Sequence, residues 1–254
     1  MPLIPDRTVD SPNRYARWRF GQPRAVLIHS TRSGRSGFTD AQELRATLSW
    51  FQNPESRASA HWVIDASGAK IRVVPDEHPA WHAGEHNQHA YGIELTQSAL
   101  GGPYTDGHYG GLVAVCAEYV RLGVPIVRIP TFRNGDRGFA GHEDSLQGRR
   151  IGKSDPGPPF DWERFLRLLR EEVEHDMSAI DDLRRELAGL FIAIDDTRTV
   201  LALVGRHSRE NRALLRAAFD DHLALKRRVV EHLAGHGEEP RLPEAAAAAE
   251  LEAR

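Results

Sequence analysis

Three side chains that lie far apart in the sequence could together hold a metal. His29 ends the apolar run 24–29 (Arg-Ala-Val-Leu-Ile-His), His142 sits in Gly141-His142-Glu143-Asp144, and Asp155 sits in Lys153-Ser154-Asp155-Pro156-Gly157-Pro158. Two imidazoles and a carboxylate are a suitable donor set for catalytic zinc, which keeps three protein ligands and leaves a fourth position for water. Each residue also has a structural alternative. A histidine at a strand end commonly serves as a hydrogen-bonding strut, and Asp-Pro-Gly commonly forms a turn. Spacing alone leaves both readings open.

Other residues bear on the same chemistry. Of 33 basic residues only Lys70, Lys153 and Lys226 are lysine, so a lysine two positions before Asp155 stands out against an arginine-rich background. Four of the 13 histidines, His78, His82, His86 and His89, fall in one short stretch. The spacing of the first three admits a second metal on a helix, but Pro79 and Gly84 argue against a helix there. The stretch reads instead as a loop at the rim of a cleft, with Trp81 packing beneath and His82 facing a substrate. His61 reads as a structural or cleft-wall residue. Cys116 is the one cysteine, which excludes an internal disulfide and any multi-cysteine zinc site.

The elements that must carry these residues follow from pattern. Residues 24–29 read as a buried strand. Thr39 opens a helix with Gln42 in the capping-box position, Leu44, Leu48 and Phe51 on one face, and Pro54 at its end. Residues 61–65 and 70–74 form a hairpin around Ser67-Gly68, and 90–96 a further strand. A helix is expected over 111–122, a short strand over 126–130, then a long functional loop over 131–160. Asp161 caps a helix that buries Trp162, Phe165 and Leu169.

After about residue 175 the composition shifts to Leu, Arg, Asp and Glu. The positions Ile180, Leu183, Leu187, Leu190, Ile194, Thr197, Leu201 and Val204 trace a coiled-coil-like seam. A second amphipathic segment follows to about 237, and 238–254, with five consecutive alanines, reads as a disordered tail. The expected division is thus 1–175, 176–237 as a helical hairpin for binding or oligomerisation, and 238–254. Met177 is the only methionine after Met1, and Glu171-Glu172-Val173 can be encoded as a ribosome-binding sequence. An internal start there would yield a 78-residue fragment (254 − 177 + 1) able to assemble on the full chain.

Net charge is −3, which argues against nucleic acid as the main partner. No apolar run approaches the ~20 residues of a membrane span. The first residues lack an apolar core and do not read as a secretory signal, so synthesis in the cytoplasm is expected.

Six blocks occur in order: Val26-Leu27-Ile28-His29-Ser30-Thr31, Ser59-Ala60-His61-Trp62-Val63-Ile64-Asp65, Ala80-Trp81-His82-Ala83-Gly84, Tyr91-Gly92-Ile93-Glu94-Leu95, Gly141-His142-Glu143-Asp144 and Lys153-Ser154-Asp155-Pro156-Gly157-Pro158. Together they resemble the zinc-dependent N-acetylmuramoyl-L-alanine amidases, a family that includes phage endolysins, cytoplasmic muropeptide-recycling amidases and animal peptidoglycan recognition proteins. The resemblance covers roughly residues 22–170. It implies an α/β fold, a central mixed β-sheet flanked by helices, with a zinc cleft on one face.

By position, the resemblance makes His29, His142 and Asp155 the zinc ligands, with Asp rather than Cys third, as in the recycling enzymes. Lys153 matches the lysine that stabilises charge on the attacked carbonyl. Ala60 stands where some relatives carry a catalytic tyrosine, and Glu94 matches the glutamate that serves as general base in members with the Ser-Ala-His form. Ser30 replaces a second histidine found in many members, at a variable position. The implied reaction is hydrolysis of the amide between N-acetylmuramic acid and L-alanine in bacterial peptidoglycan, with Trp81, His82 and His61 as candidate substrate contacts. The extra C-terminal helices favour a lytic endolysin acting on the wall after release. The alternatives are a cytoplasmic recycling amidase and, less favoured, a non-catalytic peptidoglycan-binding protein. The stretch 176–254 carries 12 basic and 15 acidic residues, so it is not a polybasic anchor.

Overall fold

A computed structural model describes residues 3–31, 37–97 and 102–175, with Ser178 and Arg185. All of these but Arg185 belong to one compact unit, Met1–Ile180. The expected seam, tail and internal start all lie outside the described residues, apart from Ser178 and Arg185.

The apolar run before His29 forms β2, Ala25–Ser30, whose six residues are all buried. That follows from its place between two parallel neighbours in a mixed sheet, where both faces of the strand are covered. The sheet has six strands: β1 (Arg7–Thr8), β4 (Lys70–Arg72), β3 (Trp62–Ile64), β5 (Tyr91–Leu95), β2 and β6 (Gly138–Gly141), in that spatial order. β3 and β4 pair antiparallel as the expected hairpin, and every other pairing is parallel.

Side chains alternate across the sheet. One face carries Val26, Ile28, Trp62, Ile64, Tyr91, Ile93 and Leu95. It packs against α2 (Asp106–Arg121) and the helix over 162–175, through residues such as Leu112, Val115, Cys116, Phe165 and Leu169. The opposite face presents Val63 and Ile71 to Leu48 and Phe51 of α1, Asp40–Gln52. The same alternation sends His29 and Glu94 to the α1 side.

Local signals explain the helix starts. Thr39 caps α1 with the expected Gln42 capping box. α2 begins earlier than expected, at Asp106, because Thr105 and His108 form a second capping box that Gly110-Gly111 hides in the pattern. Asp161 accepts from the Arg164 amide at 2.9 Å and so caps the last helix, as expected. The expected strand over 126–130 is only an irregular edge, joined by one isolated bridge, Arg128 to Phe139. The regular strand there is β6, inside the stretch expected to be loop, and a short helix, α3 (Leu146–Arg150), follows it.

Candidate active site

Three parallel strands deliver the site at their C-terminal ends, where open α/β sheets place ligands. In the β2–β5 register His29 faces Glu94, and Ile28 faces Gly141, so His142 emerges from β6 beside His29. Asp155 arrives on the chain after α3, where the Asp155–Pro156 peptide is cis and the Glu143 amide donates to the Asp155 carbonyl at 2.9 Å. That approach needs a bare backbone opposite. A Cβ on Gly141 would stand 2.7 Å from Pro156 Cδ and 3.1 Å from Asp144 Oδ2.

The result is a buried triangle. His29 Nδ1 lies 3.0 Å from His142 Nδ1 and 3.4 Å from Asp155 Oδ2, and His142 Nδ1 lies 3.3 Å from that oxygen. A tetrahedron with zinc–ligand bonds of about 2.0–2.1 Å has edges of about 3.3–3.4 Å, close to all three separations. The electrostatics agree. Burial, then the neighbouring His142, lowers the His29 pKa to about 4, which favours the neutral imidazole a metal requires. Burial alone would raise the Asp155 carboxyl, but the rings of His142 and His29 more than offset it and hold the group ionised. The three residues form the one cluster of potential metal donors among the described residues.

Beside the triangle lies a cavity of about 820 Å³ lined by Glu43, Thr47, Trp50, Trp81, Glu94 and Lys153 among others. A second, of about 460 Å³, is lined by Tyr15, Arg57 and Gln147 among others, and the two share Ala58, Trp81, His82, His142 and Lys153. With these residues in common, they are lobes of one groove. The larger lobe holds three carboxylates, Glu43, Glu94 and Asp155. The smaller has Arg57 and Lys153 and no carboxylate in its lining. The Glu94 carboxyl is pushed well above the usual range, first by burial and then by the charge of Asp155.

Of the expected substrate contacts, Trp81 and His82 do line the groove. His82 also stands behind His29, with His29 Nε2 and His82 Nδ1 3.0 Å apart. His61 is fully buried and is not in the lining. Its Nδ1 accepts from the Gly92 amide at 2.9 Å and its Nε2 donates to the His78 carbonyl at 3.0 Å. Among the lining residues that the sequence did not single out are Glu43, buried on α1, Trp50, exposed on the same helix, and Arg57. Arg57 is the one described non-glycine residue with positive φ, +52°. No sequence signal marks that backbone conformation at an arginine.

Residues 19–158 match the family described as N-acetylmuramoyl-L-alanine amidase. This chain belongs to that family. The amidase is 34% identical over 193 residues to the 1,6-anhydro-N-acetylmuramyl-L-alanine amidase AmpD of Citrobacter freundii, covering 69% of this chain and 96% of the relative. It is 30% identical over 188 residues to the AmpD of Escherichia coli K12, covering 67% and 96%. A crystal structure of a selenomethionine AmpD derivative superposes with a TM-score of 0.51 at 28% identity, over 66% of this chain and 96% of that one. Zinc is the cofactor of the family, and the triangle of His29, His142 and Asp155 fits it. These relatives favour the recycling reading over the endolysin reading put first from sequence, which rested on C-terminal helices outside the described residues.

Proposed function

We propose that this amidase acts on soluble muropeptides of the recycling type, releasing the stem peptide from an anhydro-muramyl sugar. The observation that carries the proposal is that the catalytic unit matches two AmpD proteins over 96% of their length, and its own His29, His142 and Asp155 form a donor set fit for zinc.

His29, His142 and Asp155 would hold the zinc through Nδ1, Nδ1 and Oδ2. Zinc bound there supplies Lewis-acid polarisation and a water whose pKa is near 7. Glu94 is assigned as the proton carrier. It lies in register beside His29, about one inter-strand spacing away, and its raised pKa suits a group that must both accept and return a proton. It takes the proton of the attacking water and gives it to the amide nitrogen as the C–N bond breaks. Lys153, lining both lobes, is assigned to the oxyanion of the attacked carbonyl.

The lobes orient the substrate by charge. A stem peptide carries carboxylates, and the smaller lobe offers Arg57 and Lys153 with no lining carboxylate to oppose them. The sugar then lies in the larger lobe, where Trp50 presents an exposed ring. The same reading places the enzyme where soluble fragments accumulate, inside the cell. No helix among the described residues is long and apolar enough to cross a membrane.

The deciding experiment sets soluble anhydro-muropeptide against purified sacculi at matched concentrations of susceptible bonds. Rapid release of peptide with a new L-alanine amino group from the soluble substrate, with slow attack on sacculi, is expected. Faster clearing of sacculi would restore the lytic reading, and new reducing sugar ends would overturn the amidase assignment.

A further inference from the structure

His82 faces the groove with one edge, but both of its ring nitrogens are engaged away from it. Nε2 lies 3.0 Å from the Ala90 carbonyl oxygen, and Nδ1 lies 3.0 Å from His29 Nε2. A carbonyl can only accept, so His82 Nε2 carries a hydrogen and donates. A neutral imidazole carries a single ring hydrogen, so with Nε2 donating to Ala90 the Nδ1 of His82 is left as the acceptor of the pair. The hydrogen between the two rings therefore belongs to His29 Nε2. The remaining His29 nitrogen, Nδ1, is then unprotonated, and Nδ1 is the atom that faces His142 and Asp155.

We propose that His82 is a positioning residue for the metal site: by accepting from His29 Nε2 it fixes His29 in the tautomer whose Nδ1 lone pair points at the ligand triangle. The two rings meet edge-on, with centroids 5.0 Å apart and planes at 88°, so the contact also sets the rotation of the His29 ring.

The backbone around His82 is shaped for this contact. The Asn87 carboxamide oxygen accepts from the His82 and Ala83 amides at 2.9 and 2.6 Å and pins the loop. Gly92 lies against the ring so closely that a Cβ would stand 2.5 Å from His82 Cγ. The Gly92 amide is itself held by His61 Nδ1. The buried His61 thus acts on the metal site through the strand that seats His82, which gives it a use although it does not reach the groove. Among the described residues His142 has no such buttress, since its Nε2 is buried with no hydrogen-bond partner there. The preorganisation of the two imidazoles is one-sided and centres on His29. Partners of this kind typically contribute 10- to 100-fold in metal affinity.

The inference rests on the zinc reading of the triangle, and its test can separate the two. In metal-free wild-type protein, long-range ¹H–¹⁵N correlation spectra should show His29 and His82 both as Nε2–H tautomers. Zinc titration against a chromophoric chelator should then give an affinity 10- to 100-fold weaker for His82→Phe, which keeps the ring volume and loses the acceptor. His82→Asn places a carbonyl oxygen near the former Nδ1 and should recover part of that loss. A His29 that carries its proton on Nδ1 in the wild type overturns the proposal, whether or not any variant folds. A folded His82→Phe that binds zinc as tightly as wild type overturns it too. Failure of the wild type to bind zinc would instead overturn the functional reading, and the tautomer spectra would still decide the role of His82.

Discussion

Glu94 and Lys153 reach the same groove from different elements, one from a strand in register with His29 and one from the chain before Asp155. Neither donates to the ligand triangle, so their loss should separate chemistry from metal binding. Glu94→Gln and Lys153→Ala are each expected to cost on the order of 10²-fold or more in kcat. Zinc content by atomic absorption should stay near one per chain in both, and wild-type turnover in either variant would remove that residue from the mechanism. Arg57 is expected to act on binding. Arg57→Ala should raise KM for peptide-bearing substrates with a smaller effect on kcat, measured by release of stem peptide. At this scale the sequence shows chemistry best where a residue type is rare or where a motif surrounds it. The clustering of His29, His142 and Asp155, with Lys153 in the groove beside them, could be expected for that reason. Glu43, Trp50 and Arg57 could not, because an acid or a tryptophan on an amphipathic helix looks like any other surface residue until the groove beside it is seen. His82 and His61 were readable as unusual, but their use depends on which ring nitrogen faces which partner.

At the scale of elements, the site depends on how closely the Asp155 segment packs on the end of β6. Gly141 allows that packing, with Pro156 Cδ where its Cβ would be. Arg128 secures the same corner. Its guanidinium lies 2.7 Å from Asp144 Oδ2 and 3.7 Å over the Trp162 ring, which ties β6 to the last helix. Gly141→Ala must therefore displace Pro156, and Asp155 with it. A loss of about 1–3 kcal/mol is expected from such overpacking, with weaker zinc binding than wild type. A urea melt and a chelator titration measure the two effects. Unchanged zinc affinity would mean that Asp155 is set by its own loop alone. The capping boxes, the hairpin and the buried strands were legible because each is written in local chemistry. β6 was not. Its sequence, Gly-Phe-Ala-Gly, has no strand pattern, and only the parallel register with β2 makes it a strand. The segment over 126–130 shows the converse, a strand-like sequence that the ladder leaves as an irregular edge.

The molecule as a whole builds its interior partly from neutral histidines, and this sets its response to acid. His61 is fully buried, and burial lowers its pKa from 6.5 to about 3. His108 joins α2 to the end of β5, with Nε2 donating to the Thr96 carbonyl at 2.7 Å and Nδ1 accepting from the Thr105 amide at 3.1 Å. Burial lowers its pKa as well. A histidine with a lowered pKa in the folded state binds fewer protons there than in the unfolded chain. Its contribution to stability is complete above pH 6.5 and is lost as pH falls toward the folded pKa, by up to about 1.4 kcal/mol per pH unit for each group. Asp76 works in the opposite sense. Burial raises its pKa, so its contribution is greatest in acid and declines as pH rises through the folded value. Ordinary carboxylates titrate below about pH 5, so from pH 7 to 5.5 the five described histidines with lowered pKa are opposed only by the three carboxyls that burial raises, Asp76, Glu94 and Glu143. Urea unfolding of the chelator-treated protein should therefore show a midpoint that falls steadily across this interval. His108→Gln, which retains one donor and one acceptor without a titrating ring, should be less stable at pH 7 but fall less steeply. A midpoint that stays level from pH 7 to 5.5 would mean that these imidazoles keep access to protons in the folded state, contrary to the burial and bonding seen at His61 and His108.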